Sequence, residues 1–243
     1  MLRRFAPLAR RLGLTAARCP VCGTVMADRT RPLCARCAVE LPLRTGGYCP
    51  SCGEMYGREA DPPTRCAECR LTPPPWDGLY LHGRYAGLLR DLILGFKFGN
   101  SYGRARLLAD LGALAYGSGR GLPPDLVVPV PLHTRRLLWR GFNQSLEIAR
   151  GVAGRLSVPL STEALTRTRN TPPQTRLGVK ERQANIKGAI AARPDLVRGR
   201  RVLLVDDVYT TGSTLRECAR TLRRAGCEGV EVLVLARTQR EPD

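Results

Sequence analysis

Two groups of residues in this sequence have the types and spacing to do chemistry. The first is eight cysteines in four Cys-x-x-Cys pairs, Cys19/Cys22, Cys34/Cys37, Cys49/Cys52 and Cys66/Cys69. A Cys-x-x-Cys turn presents two thiolates to one ion, and two such turns complete a tetrahedral site at about 2.3 Å from zinc. Two of the pairs read Cys-Pro-x-Cys-Gly, at 19–23 and 49–53, where glycine lets the chain turn back beneath the ion. Four pairs make two complete sets with no position left for water, so structural zinc is expected over catalytic zinc. A redox dithiol and an iron–sulfur cluster are the alternatives, and sequential pairing of the sets is expected over interleaved pairing. The second group lies in Arg201–Leu215, RVLLVDDVYTTGSTL. An apolar strand runs into Asp206 and Asp207, followed by Thr210, Thr211, Gly212, Ser213 and Thr214 and then a helical pattern. Small hydroxylated residues opening a helix gather backbone N–H groups, hydroxyls and the positive dipole end around a phosphate. Two carboxylates about one ribose away suit sugar hydroxyls or the outer shell of Mg²⁺.

The elements that must carry these groups follow from periodicity. Strands are predicted at 77–83, 126–130, 202–205 and 230–235, and helices at 84–96, 104–116, 143–156 and 212–225. Alternation of strand and helix implies an α/β fold with a parallel sheet covered on both faces, whose ligands sit at the carboxyl ends of strands. Thr72-Pro73-Pro74-Pro75 reads as a stiff linker between a Cys-rich segment, 1–75, and the α/β segment, 76–243. The first segment is poor in apolar residues, so metal binding should supply its folding free energy. Its twelve Arg against six acids would be brought close to neutral by eight thiolates and two zinc ions. No Walker loop is present. Gly117-Ser118-Gly119-Arg120-Gly121 runs into Pro123-Pro124 instead of a helix, and so reads as a loop and not a dinucleotide fingerprint. Cys218 falls on a helical stripe with Leu215, Ala219 and Leu222 and is expected in the core. His82 and His133 are needed by neither cysteine set.

The 243 residues carry 39 Lys and Arg against 21 Asp and Glu, a formal charge of +18. That excess can attract polyanions. A GC-rich genome accounts for an Arg bias as readily, and the chain has few aromatic residues to stack on single strands. No run approaches the ~18 apolar residues of a membrane span, and Arg10 and Arg11 interrupt any signal-peptide core. A cytoplasmic location is expected.

Val202–Thr214 resembles the phosphoribosyl-pyrophosphate (PRPP) motif of type I phosphoribosyltransferases. Cysteine knuckles ahead of it, with Arg140-Gly141-Phe142-Asn143-Gln144-Ser145 between, resemble the ComF/GntX family across nearly the whole chain. The resemblance implies a type I phosphoribosyltransferase-like parallel sheet flanked by helices, with a small N-terminal double zinc ribbon. It further implies that Asp206 and Asp207 contact the ribose hydroxyls and that Thr210–Thr214 hold the 5′-phosphate. The strand 126–130 and the following residues 131–145 would form the pyrophosphate loop, with Arg135, Arg136 and Arg140 as candidate ligands whose guanidinium forks match phosphate oxygens. Arg167 and Arg169 begin a basic stretch, 167–187, that resembles the mobile loop closing over PRPP and excluding water. Lys97 matches a recurrent family lysine. Cofactors implied are two structural zinc ions and Mg²⁺ with PRPP.

Two functions compete. One is Mg²⁺-dependent transfer of a phosphoribosyl group to a nitrogen acceptor, a step in nucleoside metabolism. The other is a competence factor for DNA uptake, handling single-stranded DNA or a nucleotide without turnover beside a helicase-type partner. A PRPP-sensing regulator lies between them, since one pocket serves all three.

Overall fold

The computed structural model describes residues 17–28, 30–98, 102–119, 121–133, 137–138, 141–169 and 186–239. Two short helices, α1 (Ala35–Val39) and α2 (Ala67–Leu71), follow the two N-terminal knuckles. Then come β1 (Gly78–Arg84), α3 (Gly87–Phe98), α4 (Tyr102–Gly117), β2 (Leu126–Pro129) and α5 (Gln144–Leu156). The remainder is β3 (Leu165–Arg167), β4 (Ile190–Ala192), α6 (Pro194–Val197), β5 (Arg201–Tyr209), α7 (Ser213–Arg224) and β6 (Gly229–Arg237).

The expected parallel sheet is present, in the order β1-β6-β5-β2. Val202–Val205 and Val230–Ala236 are apolar runs broken only by Glu231. Their apolar side chains are buried on both faces, as parallel strands between helix layers require. On one face Leu233 and Leu235 meet α4 and α5, where the backbone comes so close that a Cβ at Gly112 would touch Val152, Leu233 and Leu235. On the other face Val230, Val232 and Val234 share a core with Leu215, Cys218, Ala219 and Leu222 of α7. Cys218 is thus the core residue its helical stripe predicts. Gly119 and Gly121 pack against Tyr80 as part of a loop, and no helix follows them directly.

Contacts divide the chain at residue 42/43, into Met1–Pro42 and Leu43–Asp243, and not at the 75/76 linker. The physical reason is that the second knuckle is built into the sheet. Cys49, Cys52, Met55, Cys69 and Trp76 belong to the same buried cluster as Leu79, Leu81 and α7. The Leu79 N–H on the outer edge of β1 donates to the Pro50 carbonyl at 3.1 Å. The Trp76 indole N–H donates to Ser51 O at 2.8 Å.

β5 is longer than predicted. It continues through Asp206 and Asp207 to Tyr209, paired to β6 alone once β2 has ended at Pro129. Both acids are therefore strand residues at a carboxyl end of the sheet, where ligands of such folds bind. The antiparallel pair β3–β4 was not predicted. Among the described residues no helix is long and apolar enough to cross a membrane.

Candidate phosphoribosyl site and metal centres

The cysteines form two sets, in sequential pairing: Cys19, Cys22, Cys34 and Cys37, then Cys49, Cys52, Cys66 and Cys69. The two knuckles are built alike. In each, the first cysteine's N–H donates to the residue five further on and the glycine's N–H donates back to that cysteine. These bonds are Cys19 N–Thr24 O at 2.8 Å and Gly23 N–Cys19 O at 2.9 Å, against Cys49 N–Glu54 O and Gly53 N–Cys49 O, both at 2.8 Å. Gly23 and Gly53 hold left-handed φ values of 74° and 70°, which glycine adopts without strain. The third cysteine of each set, Cys34 or Cys66, occupies the N-cap position of a five-residue helix that carries the fourth.

The sulfurs of each set lie within 4.8 Å of one another, with Cys22–Cys34 at 3.6 Å and Cys52–Cys66 at 3.8 Å. A tetrahedral ion at about 2.3 Å from each sulfur sets its ligands about 3.8 Å apart, whereas a disulfide needs about 2.05 Å. Burial first, and then the neighbouring thiols, push Cys37 up to about 12. Cys69 is also raised to about 12, chiefly by burial. Cys22 is lowered to about 5 by hydrogen bonds from Thr24. Four thiols this close ionise together only around a cation, so both sets fit a tetrahedral metal.

The acid pair and the small-residue turn stand together at the end of β5. Asp206 Oδ1 accepts from the Ser145 hydroxyl at 2.7 Å and from the Asp207 N–H at 2.9 Å. Its carboxyl group is enclosed although the residue keeps some exposed surface. Burial first, and then the Asp207 charge, push it up to about 7. Asp207 is paired with the Lys97 ammonium at 2.8 Å, both side chains being mostly buried. Beyond Tyr209 the chain turns through Gly212 at φ 72°, the side-chain-free N-cap of α7, and the Thr211 hydroxyl accepts from the Ser213 N–H at 3.4 Å. The N–H groups of a helix's first turn are of the kind that bind an anion. The Thr211 and Ser213 hydroxyls are 2.9 Å apart. A small open concavity at this turn is lined by Asp206 and by Val208–Leu215.

Residues without an assigned role from sequence acquire one by contact. Lys97 ends α3 and neutralises Asp207. In the Arg140–Ser145 motif, Gly141 turns at φ 81° and Phe142 packs on Phe96 at 5.3 Å between ring centres. Asn143 caps α5 by accepting from the Ser145 N–H at 3.1 Å and donates to Val130 O at 3.1 Å, tying the helix to the end of β2. The motif therefore aims the Ser145 hydroxyl at Asp206. Glu217, buried in α7, accepts from the Gly188 N–H at 2.7 Å and anchors the chain entering β4. Arg167 ends β3 opposite Ile190, and the Arg169 guanidinium donates to Lys187 O, so the two ends of the basic stretch are held together. Arg135, Arg136 and Arg140, and residues 170–185 of that stretch, lie outside the described residues.

A parallel sheet with an acid pair and a glycine turn into a helix at one strand end is compatible with a phosphoribosyltransferase fold. In agreement, residues 143–243 match the phosphoribosyl transferase domain family. The chain is 34% identical over 226 residues to Competence protein F of Haemophilus influenzae, covering 90% of this chain and 96% of that protein. It is 40% identical over 195 residues to the DNA utilization protein YhgH of Escherichia coli K12, covering 78% and 84%. Competence protein ComFC of Bacillus subtilis is 28% identical over 207 residues, 80% of this chain and 79% of that one. The chain belongs to the ComF family, with two four-cysteine sets ahead of and within a phosphoribosyltransferase fold.

Proposed function

We propose that this protein binds PRPP or a related ribose 5-phosphate ligand at the end of β5. The observation that carries the reading is the glycine turn into α7 at Gly212, directly after two carboxylates held from different directions by Ser145 and Lys97. The 5′-phosphate lies over Thr210–Thr214, and Asp206 and Asp207 accept hydrogen bonds from the ribose 2′ and 3′ hydroxyls. Carboxylate acceptors and hydroxyl donors of this kind are worth about 1.5–3 kcal/mol each. Two mutually repelling acids fit a nearby cation, and Mg²⁺ carried with PRPP would be held there and would neutralise the pyrophosphate.

Turnover, on this reading, is displacement of pyrophosphate from the anomeric carbon by an acceptor nitrogen. The chain supplies no covalent nucleophile. It contributes placement of the sugar and of charge around the leaving group. Arg135, Arg136, Arg140, Arg167 and Arg169 are the cations proposed for that group. Both four-cysteine sets are proposed to hold structural zinc, and the protein to work in the cytoplasm.

The test is calorimetric titration of PRPP with Mg²⁺ into the metal-replete protein, beside Asp206→Asn/Asp207→Asn. The double variant should lose at least ~100-fold in affinity, two charge-assisted bonds at ~1.4 kcal/mol per decade, while keeping two metals per chain. Unchanged affinity removes this site. Pyrophosphate release across a panel of nitrogen acceptors then separates transfer from binding alone.

A second reading is supported by the relatives' names and by the +18 charge. Here the protein handles single-stranded DNA beside a helicase-type partner, and the pocket senses a nucleotide. It requires salt-sensitive retention of an oligonucleotide, with log affinity falling linearly in log salt. An oligonucleotide that fails to bind at 50 mM salt, about a third of physiological strength, rejects it.

A further inference from the structure

Arg237 is the largest side chain in the fully buried core, and the reading of the phosphoribosyl site makes no use of it. It ends β6, beside Tyr209 in the register of β5. Its Nε donates to Cys52 O at 3.0 Å, and its Nη2 meets the Glu54 carboxylate at 2.6 Å. Its Nη1 donates to Thr210 O and, at 2.8 Å, to Thr238 O. The guanidinium lies over the Tyr209 ring, 4.3 Å from its centre.

One planar cation thus joins two segments of unlike kind. Cys52 and Glu54 belong to the second knuckle, and the position of the Cys52 carbonyl is fixed by how that knuckle closes. Thr210 opens the phosphate turn. In a trans peptide plane the N–H of Thr211 points opposite to the Thr210 carbonyl. Holding the carbonyl therefore fixes the direction of an amide in the proposed anion cradle. The stacked Tyr209 carries the same restraint further. Its hydroxyl oxygen sits 2.3 Å from where a Cβ on Gly212 would be, so the ring is the floor under that turn.

A buried guanidinium costs several kcal/mol in desolvation and is kept only where its donors are met. An apolar side chain could fill this space without that cost, but it could not link the three carbonyls and the carboxylate.

We propose that Arg237 is a positioning residue through which metal at Cys49, Cys52, Cys66 and Cys69 sets the shape of the phosphate turn at Thr210–Ser213. The phosphoryl role of that turn rests on the function proposed above; the mechanical link does not. The first set belongs to the other structural unit and serves as the comparison. Loss of the second metal, by chelation or thiol oxidation, would then switch off ligand binding while the sheet stays folded.

Hydrogen exchange in the ligand-free protein tests the link directly. Arg237→Met, which keeps the stem and removes the donors, should raise exchange of the Thr210–Ser213 amides at least 10-fold with both metals retained. Cys69→Ser should lose one metal and raise the same amides comparably. Cys37→Ser should lose one metal and leave them alone. Glu54→Gln, the mildest change, should give about a 3-fold rise and stands in where Cys69→Ser or Arg237→Met fails to fold. An unaltered turn in the folded Arg237→Met protein, or in Glu54→Gln, overturns the proposal, as does equal loosening in Cys37→Ser.

Linkage supplies a readout that simple structural support would not move. Coupling between sites is reciprocal in binding free energy, so saturating ribose 5-phosphate should raise the affinity for the second metal about 10-fold, read by equilibrium competition with a chelator, and leave the first unaffected. Equal metal affinity with bound ligand counts against the coupling. Absence of ribose 5-phosphate binding in the wild type instead removes the function proposed above, and the exchange result still decides the link.

Discussion

Asp206 illustrates how a ligand site is held against the interest of the folded chain. Its carboxyl group is enclosed and faces the Asp207 charge, and it rises from an ordinary 3.8 to about 7. The folded state therefore binds this proton more tightly than the unfolded state. Its stabilising contribution is complete below about 4 and is lost as pH rises towards 7. Asp206→Asn keeps an oxygen that can accept from both Ser145 and the Asp207 N–H but cannot ionise. The ligand-free variant should melt above the wild type at pH 8, on the order of 5 °C for a chain of this size, with the gap narrowing as pH falls below 7 and closing only below about 4. A melting difference independent of pH would reject burial of this acid. Gly212 carries strain of another kind. Alanine there incurs about 1–2 kcal/mol for the left-handed backbone and also strikes Tyr209, which is confined beneath Arg237 and edge-on to Trp76. Gly212→Ala should lower the urea midpoint and weaken phosphate binding together. These residues are found by type and spacing because their neighbours in sequence reveal them. The pairing of Lys97 with Asp207 is not legible in that way, and neither is Arg237, whose partner Glu54 is 183 residues away in sequence.

At the scale of elements, periodicity located the four sheet strands and the four long helices because each buries a continuous stripe or run. The rest was hidden for stated reasons. β3 and β4 are three residues long, too short for alternation to register, and they exist because they close the base of the basic stretch. α1 and α2 have no helical stripe and owe their place to the cysteines that begin them. β5 outruns its apolar segment because its last residues pair with β6 alone and can be polar. The base of the basic stretch offers its own test. Gly188 is fastened to α7 through Glu217, so Glu217→Leu leaves that N–H without its charged acceptor, at about 1.5–3 kcal/mol. Exchange of the Thr168 amide, which donates to Ala189 O, should quicken about 10-fold or more while the amides of β5 are unchanged. Glu217→Gln, which keeps an acceptor, should behave nearly as the wild type. If Leu and Gln variants exchange alike, the tether is not what closes the two ends.

Across the whole molecule, the two four-cysteine sets are the same device used in unlike surroundings. In the first unit the described buried apolar side chains besides cysteine are Leu33 and Leu41, far too few to hold a fold, so that unit should be ordered by its metal. In the second unit Cys49, Cys52 and Cys69 are buried in the core with Trp76, Leu79 and Leu81, so that site is shielded by a sheet which would persist without it. Cys22 and Cys34 of the first set retain exposed surface, against Cys66 alone in the second. Chelation followed with a chromogenic zinc reporter should therefore be biphasic, one metal leaving at least ~10-fold faster than the other, a difference of ~1.4 kcal/mol or more in barrier. Cys37→Ser should abolish the fast phase and Cys69→Ser the slow one. Far-ultraviolet circular dichroism should change little in the first phase, since the sheet and the long helices all lie in the second unit. A single phase accounting for both metals, or a fast phase that survives Cys37→Ser, would mean that the sites are not protected as their burial requires.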